Sequence, residues 1–312
     1  MSDLHQGHET QVARDMEEKT MTTANEKSTS LHLGSHETTW SDLLQDAVST
    51  PGKLLDAYNA FHNFSIGNAI LAMFQCSARN IKPGPLNTYK GWQKLGRQVK
   101  KGEKAIVLCM PFAYKKRIHE ASSDQEIPDT NESQSSPESS DEITHYRFAL
   151  RPYWFVLAQT DGEAPFTPEV PGFDLASALR QLKIQQVDFT AVNGNAQGYA
   201  LQRSIAINPV AQLPLKTTFH EIGHIVLGHT QESPLVDSDT TPRNIREVEA
   251  ESVALICCEA LQLPGAEFCR GYIQNWLSGN ENISDRSAQK IFSAASAILK
   301  AGRGQSEADT SG

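Results

Sequence analysis

The stretch Thr217–His229, TTFHEIGHIVLGH, sets two histidines four residues apart with a glutamate directly after the first. On an α-helix, positions i and i+4 share a face, so His220 and His224 project two imidazoles to one side. Glu221 lies next to that face and can reach a metal-bound water without itself binding the ion. Two neutral imidazoles, one further ligand and an open position for water suit zinc. The ion would lower the pKa of that water toward neutrality, and Glu221 would take its proton. Manganese or cobalt can also occupy two histidines and a carboxylate.

Such a site needs a third protein ligand. A histidine six residues after the second one would supply it in one known pattern, but that position is Thr230. His229 falls one residue short, beside Gly228 and on another face. A carboxylate on a following helix is the remaining source. REVEAESVALICC, Arg246–Cys258, places Glu247 and Glu251 four apart on one face, continued by Ala254 and Cys258, while Glu249 points elsewhere. Glu247 is read as the ligand. Glu251 is read as the acceptor that orients a histidine through its other ring nitrogen. The competing reading is a core helix whose histidines are satisfied by ordinary hydrogen bonds. That reading leaves two acids on the buried face of an apolar helix, which is costly unless they are paired. A shared ion removes both costs. Cys257 and Cys258 fit the core better than the ligand set.

A second feature lies about a hundred residues earlier. The 312-residue chain carries a net charge of -9, yet Lys53–Arg117 holds twelve Lys or Arg against two acids, Asp56 and Glu103. Clustered basic charge in an acidic chain is the electrostatic footprint of a polyanion partner. Aromatics are interleaved with it at Phe64, Phe74, Tyr89 and Trp92. Proteins that bind single strands combine a basic groove with stacking platforms of this kind. The residues expected to face DNA are Tyr89, Lys90, Trp92, Lys94, Arg97, Lys100, Lys101 and Lys104. Ser65, Asn68 and Gln75 are suited to bond phosphate or base edges. Each aromatic taken alone fits a core position, so the clustering carries this reading.

The remaining chain frames these two features. Residues 1–36 are polar, without apolar periodicity, and are expected to be a disordered tail. Ile118–Thr144 holds eight acids and no Lys or Arg, and reads as a disordered acidic insertion. Strands expected at Ala105–Met110, stopped by Pro111, and at Tyr153–Ala158 would pair across it. PFTPEVPGF, Pro165–Phe173, has three prolines and reads as a linker. Helices are expected near Asp174–Leu182, Leu215–Leu227, Arg243–Leu263 and Asp285–Lys300, with weak strands at Val187–Thr190 and Ser204–Asn208. Residues 303–312 form a polar tail. The five cysteines show no CxxC spacing or even framework and suggest free thiols in a reducing compartment. No run is apolar enough for a signal peptide or membrane span, so a cytoplasmic protein is expected, with no membrane partner.

TTFHEIGHIVLGH followed by EVEAESVALICC resembles the zincin-like domain of ArdC-type antirestriction proteins, and more distantly the ImmA/IrrE metallopeptidases. Those relatives pair HExxH with a downstream helix of E-x-x-A-N type, whose leading glutamate binds metal. Glu247 and Ala250 match that pattern, and Glu251 stands where Asn is common in the ImmA/IrrE branch. FHNFSIGNAILAMFQ and TYKGWQKLGRQVKKGEKAIVLCMP resemble the single-stranded-DNA-binding domain of the ArdC type. The resemblance spans roughly Trp40–Pro111 and Tyr153–Leu263.

It implies an α+β protein of two domains. Residues 37–164 would bind single-stranded DNA, and residues 165–302 would form a mostly helical, zincin-like metallopeptidase domain with a small sheet. The implied role is antirestriction, the protection of incoming plasmid or other mobile DNA during conjugation. Two other classes remain open. One is a DNA-tethered metalloprotease acting on repressors or DNA-bound proteins. The other is a DNA-binding protein whose metal domain is purely structural.

Overall fold

Apolar residues at helical spacing between Trp40 and Ala78 form three consecutive helices: α1 (Trp40–Ser49), α2 (Lys53–Phe61) and α3 (Ile66–Ala78). The computed structural model describes residues 31–33, 36–116, 143–165, 169–190, 196–230, 241–279 and 282–303. Most of the expected N-terminal tail, nearly all of the acidic insertion and the C-terminal tail past Arg303 lie outside the described residues. Ahead of α1, β1 (Leu31–Leu33) pairs antiparallel with β2 (His36–Thr38) in a short hairpin. This hairpin belongs to a separate unit, Met1–Thr39. It occupies the end of the segment expected to lack structure.

A three-stranded sheet follows α3. Its order is β3 (Leu86–Thr88), β6 (Ile143–Val156), β5 (Ile106–Lys116), with both pairings antiparallel. The helix α4 (Tyr89–Lys94) leaves β3 directly, and Thr88 caps it by accepting from the Gly91 amide. A two-stranded pair, β4 (Gln98–Val99) with β7 (Thr160–Asp161), completes this half. Strand β5 runs through Pro111, where the sequence suggested a stop. The reason is the edge. Asn68 bonds both backbone groups of Cys109 at 2.8 and 2.9 Å, and Gln75 bonds both of Val107 at 2.9 and 2.8 Å. Residues 107, 109 and 111 share one phase of the strand. The N–H that Pro111 lacks would therefore point out of the sheet, where no ladder bond is lost.

The second half carries a small sheet of order β8 (Gln185–Gln186), β10 (Ser204–Ile207), β9 (Gly198–Leu201). Its helices are α5 (Leu175–Gln181), α6 (Pro214–Val226), α7 (Arg243–Ala260), α8 (Ala266–Ser278) and α9 (Asp285–Ala301). Asp174 caps α5 by accepting from the amides of Ala176 and Ser177. Every residue of α7 from Val248 to Ala260 is buried, because α6, α8, α9 and α2 all pack on it. The chain expected as a linker is tied down at its end. Phe173 bridges to Arg303, and its ring meets Phe219 edge-on at 5.6 Å.

The helices of the two expected domains pack into one unit, Trp40–Gly312. The α9 helix lies against α1 and α3, and α8 lies against α1. Buried polar groups stitch the halves together. Arg270 on α8 donates to the carbonyls of Ala47 and Val48 at the end of α1 and to Glu259 on α7. Glu259 in turn accepts from the Leu54 amide at the start of α2, 3.1 Å away. Terminal helix carbonyls and amides have no partner within their own helix. One buried ion pair therefore closes both helix ends across the α1–α2 turn. All five cysteines are free. No described helix is long and apolar enough to cross a membrane.

Candidate metal centre and DNA-facing residues

The HEIGH segment forms most of α6, with its proline at the first turn, where a missing N–H costs nothing. His220 and His224 share a face, and their Nε2 atoms lie 3.1 Å apart. Oε2 of Glu247, on α7, is 3.5 Å from Nε2 of His220 and 3.6 Å from Nε2 of His224. These three residues form the group among the described residues that could hold one metal ion. The fit can be tested on the triangle itself. Sides of 3.1, 3.5 and 3.6 Å give a circumradius of about 2.0 Å. Metal–nitrogen and metal–carboxylate bonds of about 2.0–2.2 Å are long enough for one ion to reach all three donor atoms. The donor set fits zinc, manganese or cobalt.

The outer nitrogen of each histidine is held differently. Nδ1 of His220 meets Oε2 of Glu251 at 2.8 Å, and Glu251 also binds Nζ of Lys216 at 2.7 Å. Glu251 thus stands on the ring nitrogen of His220 that faces away from His224 and Glu247. Burial opposes charging Glu251, but His220 and Lys216 outweigh it and hold the carboxyl down at about 2. Burial likewise opposes charging His220, yet Glu247 and Glu251 raise it to about 9. Hydrogen bonds to His220 and His224 hold the Glu247 carboxyl well below the usual range.

His224 turns its Nδ1 to Nδ1 of His229 at 3.0 Å, and Nε2 of His229 meets Oε2 of Glu249 at 2.9 Å. Neither His229 nor Glu249 follows from counting helix faces. Gly228, at φ +82, ends α6 in the left-handed conformation, and the His229 amide bonds back to the His224 carbonyl at 2.9 Å. That turn folds His229 under His224. Glu249 points away from the ligand triangle, as expected, but toward a histidine of the same site. The usable signal was a buried acid two residues from each of two other site acids, which has to find a partner.

Glu221 is buried, and burial raises its carboxyl above the ordinary range. Strand β9 passes directly over it. A Cβ at Gly198 would lie 2.8 Å from the Thr217 methyl and 3.2 Å from Oε1 of Glu221. Glycine is thus the residue that lets the strand approach the helix.

The structure divides the expected DNA-facing residues. Asn68 and Gln75 are spent on the edge of β5, and Ser65 caps α3 by accepting from the Asn68 amide. Trp92 is 2 % exposed and donates from Nε1 to the Phe155 carbonyl at 2.8 Å. Arg97 is buried, bonding Thr160 and the carbonyls of Gly162 and Glu163. Asn68, Gln75, Trp92 and Arg97 are interior polar groups that found their partners in the sheet or a loop, so these four are not presented to a ligand, whereas Ser65 is exposed with its hydroxyl engaged in the helix cap. Lys90, Lys94, Lys101 and Lys104 are exposed. Lys100 is exposed and donates to the Ala158 carbonyl at 3.0 Å. The exposed Tyr89 accepts a hydrogen bond from Gln98 and meets Phe155 edge-on at 6.4 Å. Phe148 and Tyr153 on β6 are 68 % and 57 % exposed and were not anticipated. The run FALRPYWF sets aromatics at both odd and even positions, so some of them must face outward.

Residues 34–152 match the family described as the N-terminal domain of anti-restriction factor ArdC. No curated protein matches the chain. Among solved structures, it is similar to the metal-free crystal structure of antirestriction ArdC protein from R388 plasmid. Identity is 17 % and the TM-score 0.46, covering 84 % of this chain and 94 % of that one. The Mn(II)-bound structure of the same protein matches at 16 % identity and a TM-score of 0.46, covering 86 % and 99 %.

Proposed function

We propose that this ArdC-type protein is an antirestriction factor that binds single-stranded DNA and carries a metal-dependent peptidase-like site. The observation that carries the metal reading is the triangle of His220, His224 and Glu247, whose size suits one divalent ion. The Mn(II)-bound form of the R388 protein supports a divalent ion of this class. When bound, the ion would act as a Lewis acid toward a water and a peptide carbonyl.

The chain's own residues supply the rest. Glu247 brings a negative charge to the ligand set. Glu251 and Lys216 fix the ring of His220 through its outer nitrogen. Glu221 sits beside the ligands with a carboxyl raised by burial, the direction that suits a group taking and returning a proton. Single-stranded DNA would lie on the exposed lysines Lys90, Lys94, Lys100, Lys101 and Lys104. Tyr89, Tyr153 and Phe148 would offer stacking surfaces.

The test is protection of unmodified conjugative DNA in recipient cells. Wild type is compared with Glu221→Gln and with a variant lacking the charges of Lys90, Lys94, Lys101 and Lys104. Loss of protection in Glu221→Gln, with single-strand binding intact, would establish a hydrolytic role and a protein target. Normal protection in that variant, with failure of the lysine variant, would leave DNA binding as the function and the metal as structural. Protection by both variants would sink the reading.

A further inference from the structure

We infer that His229 and Glu249 are positioning residues for His224, holding it in the tautomer that presents a lone pair to the metal. The inference rests on the metal reading above, but it concerns where two protons sit in the chain itself. An imidazole can offer Nε2 to an ion only if its proton is on Nδ1. Nδ1 of His224 faces Nδ1 of His229 at 3.0 Å, so the His229 nitrogen must accept. The proton of His229 is then on Nε2, where Oε2 of Glu249 accepts it at 2.9 Å. Each proton has one place, and the order runs outward from the ligand to a carboxylate. The same tautomer lets Nε2 of His224 accept from Nε2 of His220, 3.1 Å away, when no ion lies between them.

Burial makes this arrangement stiff. The side chains of His229 and Glu249 are 7 % and 1 % exposed, so water cannot replace either partner. The two ligand histidines are therefore anchored by different means. His220 meets a carboxylate directly, whereas His224 reaches one through an intervening ring. The intervening ring is placed by the left-handed turn at Gly228, outside the helix that carries both ligands.

The experiment reads the tautomer and the metal affinity separately. Long-range proton–nitrogen correlation spectra of the metal-free protein, with nitrogen-15 histidine, show which ring nitrogen of His224 bears hydrogen. Titration calorimetry with Mn²⁺ alone and Zn²⁺ alone gives affinity. Wild type is expected to show His224 protonated on Nδ1. His229→Leu and Glu249→Leu are expected to give mixed tautomers and to bind either ion about 10–100-fold more weakly, the usual cost of losing an outer partner. His229→Gln keeps an acceptor oxygen and should recover most of the affinity. An Nε2-protonated His224 in wild type overturns the inference. So does unchanged affinity in folded His229→Leu, or a Gln variant no better than Leu. If wild type binds neither ion, the metal reading falls, and the spectra alone decide whether these residues fix the tautomer.

Discussion

Replacing Arg270 by Met should unfold the protein far more easily than its distance from the His220–His224–Glu247 triangle suggests. The guanidinium bonds two terminal carbonyls of α1 and the carboxylate of Glu259. Both side chains are only 9 % exposed. Methionine keeps much of the shape but leaves Glu259 buried without its cation and two helix-end carbonyls without donors. Breaking a buried ion pair from one side costs about 3–5 kcal/mol. At about 2–4 °C per kcal/mol, the midpoint should fall by about 6–20 °C. Thermal unfolding followed by circular dichroism and by tryptophan fluorescence measures this. The two probes should keep coincident transitions, since the pair joins helices of both halves. The double variant Glu259→Gln/Arg270→Met should recover at least half of the loss, because no isolated charge is left inside. A loss below about 1 kcal/mol in the single variant would refute the argument that this pair closes the two helix ends.

Three further outcomes follow from the site and the basic face. The His220–Glu251 pair makes the stability of the metal-free protein pH-dependent at both ends. Glu251, held at about 2 against an ordinary 4.5, contributes fully above pH 4.5 and loses its contribution as pH falls through about 2. His220, raised from 6.5 to about 9, contributes fully below pH 6.5 and loses its contribution as pH rises through about 9. Melting scans of the metal-free protein should show both declines, and a flat profile from pH 6.5 to 9 would contradict the pair. Gly198→Val should cost about 1–3 kcal/mol by overpacking against Thr217 and the Ala206 carbonyl. It should also displace Glu221, lowering any peptidase activity while leaving metal affinity in calorimetry near wild type. Removing the charges of Lys90, Lys94, Lys101 and Lys104 should flatten the salt dependence of single-strand binding by about 3 in logarithmic slope, at about 0.7 per phosphate contact. An unchanged slope in filter or anisotropy titrations would place the DNA elsewhere.

The helix bearing HEIGH was legible because its geometry is local: a four-residue spacing fixes one face whatever surrounds it. The same spacing sets Glu247 and Glu251 on one face of α7. The structure then turns Glu247 to the ligand triangle and Glu251 to the outer nitrogen of His220. His229 could not be read in this way. Its place depends on the chain direction after Gly228, and face counting stops where the helix stops. The strand through Pro111 was hidden for a related reason. A proline ends a central strand but not an outward phase of an edge, and sheet order is set by contacts distant in sequence.

The amides on α3 make the sharper point about polar residues in an apolar helix. Asn68 and Gln75 are seven residues apart, two turns on one face, and read equally well as groups reaching for a phosphate or groups reaching for a backbone. The difference lies in what runs alongside. Strand β5 has α3 on its open side, and an edge strand covered by a helix must have its outward N–H and C=O groups answered. Two amides, each able to donate and accept, answer four of them. Arg97 and Trp92 follow the same logic with the loop after β7 and the carbonyl of Phe155. Clustered basic and amide residues therefore overstate a nucleic-acid surface wherever a sheet edge or loop needs the same donors. What survives that subtraction is the set of lysines with no such duty, joined by the aromatics of β6 that the sheet does not bury. A DNA-binding face on this protein should be sought along Tyr89, Lys90, Lys94 and Tyr153 rather than along α3.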